Sequence, residues 1–191
     1  MILDRYINLD NRGGDLDGRN LWGEHTGVSQ ADRIFFEHIF KHNQHIKNIV
    51  ELGTFLGVTS LYFGMLARLR NGKLTTFDIE DVRRDYVKKA WLPEMEFILT
   101  DVLGTPHPRV VELLKQPNTL IFLDNGDKSG EILLYTEYNA SGNIVVPHDF
   151  LPEGKAEITV PHLAKLGYKE YYHDIWTMTG SGCRCFIREK L

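Results

Sequence analysis

Residues 48–60, Asn48-Ile49-Val50-Glu51-Leu52-Gly53-Thr54-Phe55-Leu56-Gly57-Val58-Thr59-Ser60, carry the reading of the whole chain. Ile49-Val50 is a short apolar run of the β-branched type that suits a buried strand. Glu51 stands where that strand should end. Gly53 and Gly57 bracket a four-residue step, and Thr59 and Ser60 suit a helix's first turn. Leu61, Met65, Leu66 and Leu69 then recur at helical spacing, and Asn71-Gly72 supplies a stop. The stretch therefore predicts strand, tight glycine turn, helix. Glycines there permit positive φ and close approach to the backbone. A helix N-terminus adds exposed N–H groups and partial positive charge. The spacing Glu51-x-Gly53-x-x-x-Gly57 is not G-x-G-x-x-G, which disfavours a dinucleotide pyrophosphate site, and it is not a P-loop either.

The elements outside this stretch extend the same pattern. Leu74-Thr75-Thr76-Phe77 reads as a second strand ending in Asp78, about 25 residues past the glycine turn. An acid there can accept both ribose hydroxyls of a nucleoside; the bland alternative is a charge capping the next helix. Met95 to Thr100 reads as a third strand, followed by Asp101, which is either a nucleoside contact or a turn former. Thr119 to Leu123 is almost wholly apolar, as the doubly covered centre of a parallel sheet requires. It runs into Asp124-Asn125-Gly126-Asp127-Lys128. Ile144-Val145-Val146 is the next strand and ends in Pro147-His148-Asp149. Open α/β sheets place their chemistry at such C-terminal strand edges. Neighbouring parallel strands would bring Asp124, His148 and Asp149 to within about 5–10 Å, close enough to converge on one cation.

The two ends read differently. Residues 1–24 are rich in Asp, Asn, Arg and Gly and predict an irregular arm or lid. Asp15, Asp17, Gly18 and Glu24 match later positions of a calcium loop, but Gly13 stands where its first acid belongs. Ser29 and Asp32 predict a capped helix start ahead of Ile34, Phe35, His38, Ile39 and His42. His38 and His42 lack the carboxylate partner of a zinc helix and read as helix surface. Ala156 to Leu166 predicts a helix that Pro161 interrupts or starts. Tyr168–Met178 and Cys183–Arg188 predict two strands joined through Gly180-Ser181-Gly182. The expected fold class is therefore α/β: a Rossmann-like, doubly wound, mostly parallel seven-stranded sheet with a C-terminal antiparallel β-hairpin.

Composition bounds the function. With 191 residues, 42% of them hydrophobic, the chain suits one domain with a real core. A net charge of −4 offers no general attraction to nucleic acid or acidic membranes. No apolar run approaches the ~18 residues of a membrane span, and no signal-peptide pattern opens the chain. Cys183 and Cys185 are too close to pair readily and suit free thiols in a reducing, cytoplasmic setting.

Residues 50–60 resemble motif I of the class I S-adenosylmethionine-dependent methyltransferases, nearest to the O-methyltransferase branch of catechol and cephalosporin-hydroxylase-like type. Residues 72–81 resemble motif II, residues 20–39 the Trp-Gly…Asp lead-in, and residues 122–149 the Leu-Asp…Tyr…Gly…Val-Val-acid-Asp block of that branch. The resemblance implies one methyltransferase domain over residues 25–191 and a small-molecule hydroxyl as acceptor, with a homo-oligomer as a family-based expectation. It implies cofactor contacts from Glu51, Gly53, Thr54, Gly57, Thr59, Asp78 and Asp101. It also implies a divalent metal, magnesium or manganese, on Asp124, His148 and Asp149. Asp124, Asp127 and Lys128 are the catalytic candidates, with His25 as a further proton acceptor. Two departures stand out: His148 replaces the usual acid, and Lys128 comes one residue late, with Asp127 in its place. Two other readings remain, a nucleotide-dependent oxidoreductase and a non-catalytic S-adenosylmethionine-binding module.

Overall fold

Strand β4 (Thr119–Leu123) is buried at every position, and the sheet is built outward from it. Leu120 and Phe122 point to one face, Ile121 and Leu123 to the other, so both faces must be covered. β1 (Asn48–Leu52) and β5 (Ile144–Pro147) flank it in parallel. β2 (Leu74–Asp78) and β3 (Met95–Leu99) continue outward on the β1 side. Beyond β5 come β7 (Cys185–Arg188) and then β6 (Tyr168–Tyr171), both pairings antiparallel. The resulting seven-stranded order is β3-β2-β1-β4-β5-β7-β6. The expected α/β, mostly parallel sheet is what the chain forms. These coordinates are those of a computed structural model that describes residues 29–189. The expected arm over residues 1–24, its calcium-loop residues, the Trp22 lead-in and His25 lie outside the described residues.

Helices cover the two faces. On one lie α1 (Gln30–His42) and α2 (Val58–Leu69), whose Phe36 and Phe63 meet Phe122 of β4. The ring centroids stand 4.9, 5.3 and 5.2 Å apart, all edge-to-face, the arrangement that aromatic quadrupoles favour. On the other face lie α4 (Pro108–Leu114), α5 (Lys128–Tyr135) and α7 (Ala156–Lys165), packing on Val50, Leu52, Phe77, Ile121 and Val145. The short α3 (Asp85–Lys89) and α6 (Phe150–Glu153) fill the β2–β3 and β5–α7 connections. α1 begins as its sequence predicts: Ser29 and Asp32 form a capping box. His38 and His42 lie on α1 with rings 4.4 Å apart, beside Tyr172. α7 runs through Pro161 without breaking, leaving the Glu157 carbonyl without its usual helical donor.

One expectation is overturned. Tyr168–Met178 is not a single strand leading into a tight hairpin. β6 stops at Tyr171, Tyr172 turns left-handed at φ 61°, and α8 (His173–Thr179) follows. The aromatic and β-branched composition of the segment argues for strand, but tertiary contacts decide otherwise. Ile175 and Trp176 pack on the α1 side of the core, and the Trp176 ring lies 4.8 Å from the Arg184 guanidinium. Gly180, at φ 72°, ends the helix. The antiparallel β6–β7 pair survives, with a helix in place of the turn.

Candidate functional site

Register brings the site together. Leu52 pairs with Phe77 and with Leu123, and Leu123 pairs with Pro147. The residues that follow, Gly53, Asp78, Asp124 and His148, therefore stand side by side at the C-terminal sheet edge. The backbone confirms the alignment: Gly53 N donates to Phe77 O (2.9 Å), Asp124 N to Leu52 O (2.8 Å) and His148 N to Leu123 O (3.0 Å).

The glycine turn owes its residue types to close packing. Gly53 adopts φ 96°, and a Cβ there would sit 2.3 Å from the Asp124 carbonyl oxygen. Gly57, at φ 80°, caps α2 and faces Val87. Thr54 and Phe55 donate their backbone N–H groups to Asp78 Oδ2 at 3.0 and 2.8 Å. The Thr54 and Thr76 hydroxyls bond at 2.6 Å, and Thr59 lies buried in the first turn of α2. Asp78 thus braces the turn while its second oxygen accepts from Glu80 N at 3.2 Å. Asp101 accepts from Leu103 N (2.8 Å) and shapes the turn after β3. Exposed apolar side chains cluster by sequence around this edge: Phe55 in the glycine turn, Ile79 after Asp78, and Leu99 opposite Asp78 in register. Solvent-facing apolar groups at a strand edge were not singled out by the sequence, because single exposed hydrophobics are common.

Glu51 lies beneath the turn rather than in it. Its carboxyl is fully buried and accepts from Ser60 Oγ at 2.5 Å. Burial pushes its pKa from 4.5 up to about 8, against the opposing hydroxyls of Ser60 and Thr76. The folded protein therefore holds a proton that the unfolded chain releases above pH 4.5. That contribution to stability is complete at low pH and fades as pH rises through about 8. Glu51→Gln should flatten the decline, which has a slope of up to about 1.4 kcal/mol per pH unit. Thermal melts at pH 5 and pH 8 check this: the variant should gain on the wild type only at the higher pH.

The carboxylate cluster forms around His148. Its Nδ1 lies 3.3 Å from Asp124 Oδ1 and 3.4 Å from Asp149 Oδ2, and its Nε2 lies 3.3 Å from Asp32 Oδ2. Burial works against charge on the ring, but the three carboxylates outweigh it and hold the imidazole pKa far above its ordinary value. Lys128, almost wholly buried, reaches Asp124 Oδ1 and Glu153 Oε2, each at 3.1 Å. Burial would neutralise the amine; Asp124 and Glu153 keep it charged. Lys128 is thereby held as a cation between Asp124 and Glu153. Asp127 does not join the cluster. It caps α5, accepting from Gly130 N (3.0 Å) and Ser129 Oγ (2.9 Å), and those bonds lower its pKa.

The donor set fits a divalent ion. Ligand atoms of Asp124, His148 and Asp149 lie within 4.8 Å of one another, and they combine two carboxylates with one imidazole nitrogen. A second grouping within the same limit joins Asp32, His148 and Cys183 on the other side of the ring. Cys183 and Cys185 are both free and buried. Asp32 was legible as a helix cap and as the acid of the Trp-Gly…Asp lead-in, not as a partner of His148. Its partners Ser181 and His148 lie 149 and 116 residues away, and no local pattern announces such a contact.

No protein-family model matches the chain, and no curated protein matches it in sequence. Solved structures do. The chain is similar to CmcI bound to SAH (TM-score 0.65, 11% identity, covering 92% of this chain and 85% of that one). It is also similar to CmcI with Mg and SAM (TM-score 0.58, 12% identity, 88% and 75% covered). A third likeness is to an O-methyltransferase from Bacillus cereus in complex with SAH (TM-score 0.56, 13% identity, 85% and 82% covered). The chain has the fold of the class I S-adenosylmethionine-dependent methyltransferases. Within that class its structural likenesses include the CmcI type. Among the described residues, no helix is long and apolar enough to cross a membrane.

Proposed function

We propose that the protein is an S-adenosylmethionine-dependent O-methyltransferase that methylates a hydroxyl of a small molecule with the help of a divalent cation. The observation that carries this reading is the junction of two features on one sheet edge. The glycine turn braced by Asp78 lies beside the Asp124, His148 and Asp149 donor set. Residues 53–59 would cradle the methionine part of the cofactor at the start of α2. Asp78 would take the ribose hydroxyls with its remaining lone pairs, and Asp101 would lie near the adenine, with Phe55, Ile79 and Leu99 offering apolar surface to the base. Asp124, His148 and Asp149 would hold the cation. When bound there, a divalent ion supplies Lewis-acid polarisation that lowers the pKa of an acceptor hydroxyl. Methyl transfer would then form an oxygen–carbon bond as the sulfur–carbon bond breaks, releasing S-adenosylhomocysteine, with the hydroxyl proton passing to water. The chain's contribution is to hold oxygen and methyl carbon in line at roughly 3 Å. Lys128 keeps Asp124 oriented and balances its charge.

The test is a calorimetric titration with S-adenosylhomocysteine, using NAD as the comparison. The expected result is micromolar affinity for the first and none for the second. Absence of S-adenosylhomocysteine binding, with and without magnesium or manganese, would sink the assignment. NAD binding would favour an oxidoreductase. Cofactor binding with no turnover across an acceptor screen would favour a non-catalytic binding module.

A further inference from the structure

Asp32 holds an unusual position for a helix-capping acid. Its side chain is buried, and beyond Ser29 it gathers donors from two distant parts of the chain. Oδ1 accepts from Ser181 Oγ (2.7 Å) and Gly182 N (2.9 Å), which anchors it between α1 and the segment leading into β7. Oδ2 faces His148 Nε2 at 3.3 Å. The imidazole is therefore gripped on its Nε2 side by a carboxylate that cannot swing away. Its Nδ1 side is turned to Asp124 and Asp149.

We propose that Asp32 is a positioning residue that takes the Nε2 hydrogen of His148 and so presents Nδ1 as a nitrogen ligand between Asp124 and Asp149, making the site selective for a borderline transition-metal ion over magnesium. The proposal rests on the cation site of the preceding reading. Its physical basis is general. A ligating histidine whose other nitrogen donates to a carboxylate has a defined tautomer, a fixed ring direction and a more basic ligand atom. An imidazole nitrogen suits manganese, iron, cobalt or zinc, whereas magnesium favours an all-oxygen shell.

The first measurement is calorimetric titration of the wild type with Mg2+, Mn2+ and Co2+, alongside S-adenosylhomocysteine. Co2+ and Mn2+ should bind at least about 10-fold more tightly than Mg2+. Asp32→Asn should weaken Co2+ binding by about 10–100-fold while leaving S-adenosylhomocysteine affinity unchanged. Ser181→Ala, which removes an Asp32 bond without touching His148, should lower the melting temperature and leave Co2+ affinity in place. Because Asp32→Asn also risks the fold, ring nitrogen-15 NMR of zinc-loaded wild type supplies an independent readout. Nδ1 should shift on loading while Nε2 keeps its proton.

Equal Co2+ affinity in Asp32→Asn, a preference for Mg2+ in the wild type, or zinc-induced loss of the Nε2 proton would each overturn the proposal. So would a thiolate-to-cobalt charge-transfer band that disappears in Cys183→Ser, since it would put the ion on the Asp32 side of the ring. The two readings fail separately. Cofactor binding without any metal binding overturns this proposal and the cation's part in the preceding reading, and leaves the methyltransferase assignment standing. Selective metal binding without cofactor binding overturns the methyltransferase reading and leaves the Asp32 role standing.

Discussion

Substituting Asp124 with Asn is expected to reduce metal-stimulated methyl transfer to the metal-free background, a loss of at least about 100-fold if Lewis-acid assistance is worth several kcal/mol. Asp124 stands at the centre of the cluster. Its Oδ1 is shared by Lys128 Nζ at 3.1 Å and His148 Nδ1 at 3.3 Å. Asparagine keeps the shape and an acceptor oxygen but removes the charge that a divalent ion needs. It also leaves Lys128 and His148 facing each other with less compensation, so the variant should melt at a lower temperature. The backbone of the glycine turn is untouched, and S-adenosylhomocysteine affinity should change little. Steady-state rates with and without added Mn2+ test the point. Unaltered metal stimulation in a folded Asp124→Asn protein would remove Asp124 from the cation site.

Gly53→Ala carries the largest expected effect on stability. Two independent costs coincide there. The backbone sits at φ 96°, where an L side chain is strained by about 1–2 kcal/mol. The added Cβ would also meet the Asp124 carbonyl oxygen at 2.3 Å and its carbon at 2.6 Å. These are main-chain atoms of the central strand's end, so relief requires β1 and β4 to part. Overpacking of this kind costs a further 1–3 kcal/mol, roughly. The sum, on the order of 3 kcal/mol, would lower the melting temperature of a domain this size by roughly 10 °C. Because Thr54 and Phe55 donate to Asp78 from the same turn, cofactor affinity should fall with stability. A wild-type melting curve for Gly53→Ala would contradict the packing account. Gly126, where a Cβ meets nothing within 4 Å, provides the contrast: Gly126→Ala leaves only the backbone strain of φ 93°.

These expectations show where sequence reading succeeds and stops. Residues 48–60 declared strand, turn and helix because each signal is local: β-branched run, glycines at fixed spacing, apolar residues at helical period. The acids after β2, β4 and β5 were legible for the same reason, since strand ends are marked by a change from apolar to polar residues. What the glycines are for was less legible. Gly53 permits the approach of a neighbouring strand's backbone, a contact with a residue 71 positions away that spacing does not encode.

The chain by itself determined the alternation of strands and helices, the buried centre at Thr119–Leu123 and the set of candidate ligands, because hydrophobic period and turn chemistry act over a few residues. Only the tertiary structure decided which of those ligands meet. It put Asp127 on a helix cap and Lys128 on Asp124, though the two are adjacent. It turned the segment from His173 to Met178 from expected strand into helix, where half-buried Ile175 and Trp176 pack against the core in spite of their local β preference. It also carried Asp32 from a helix start to His148 and Ser181, across 116 and 149 residues. Such contacts depend on register and packing between distant segments, which no local pattern of residues specifies.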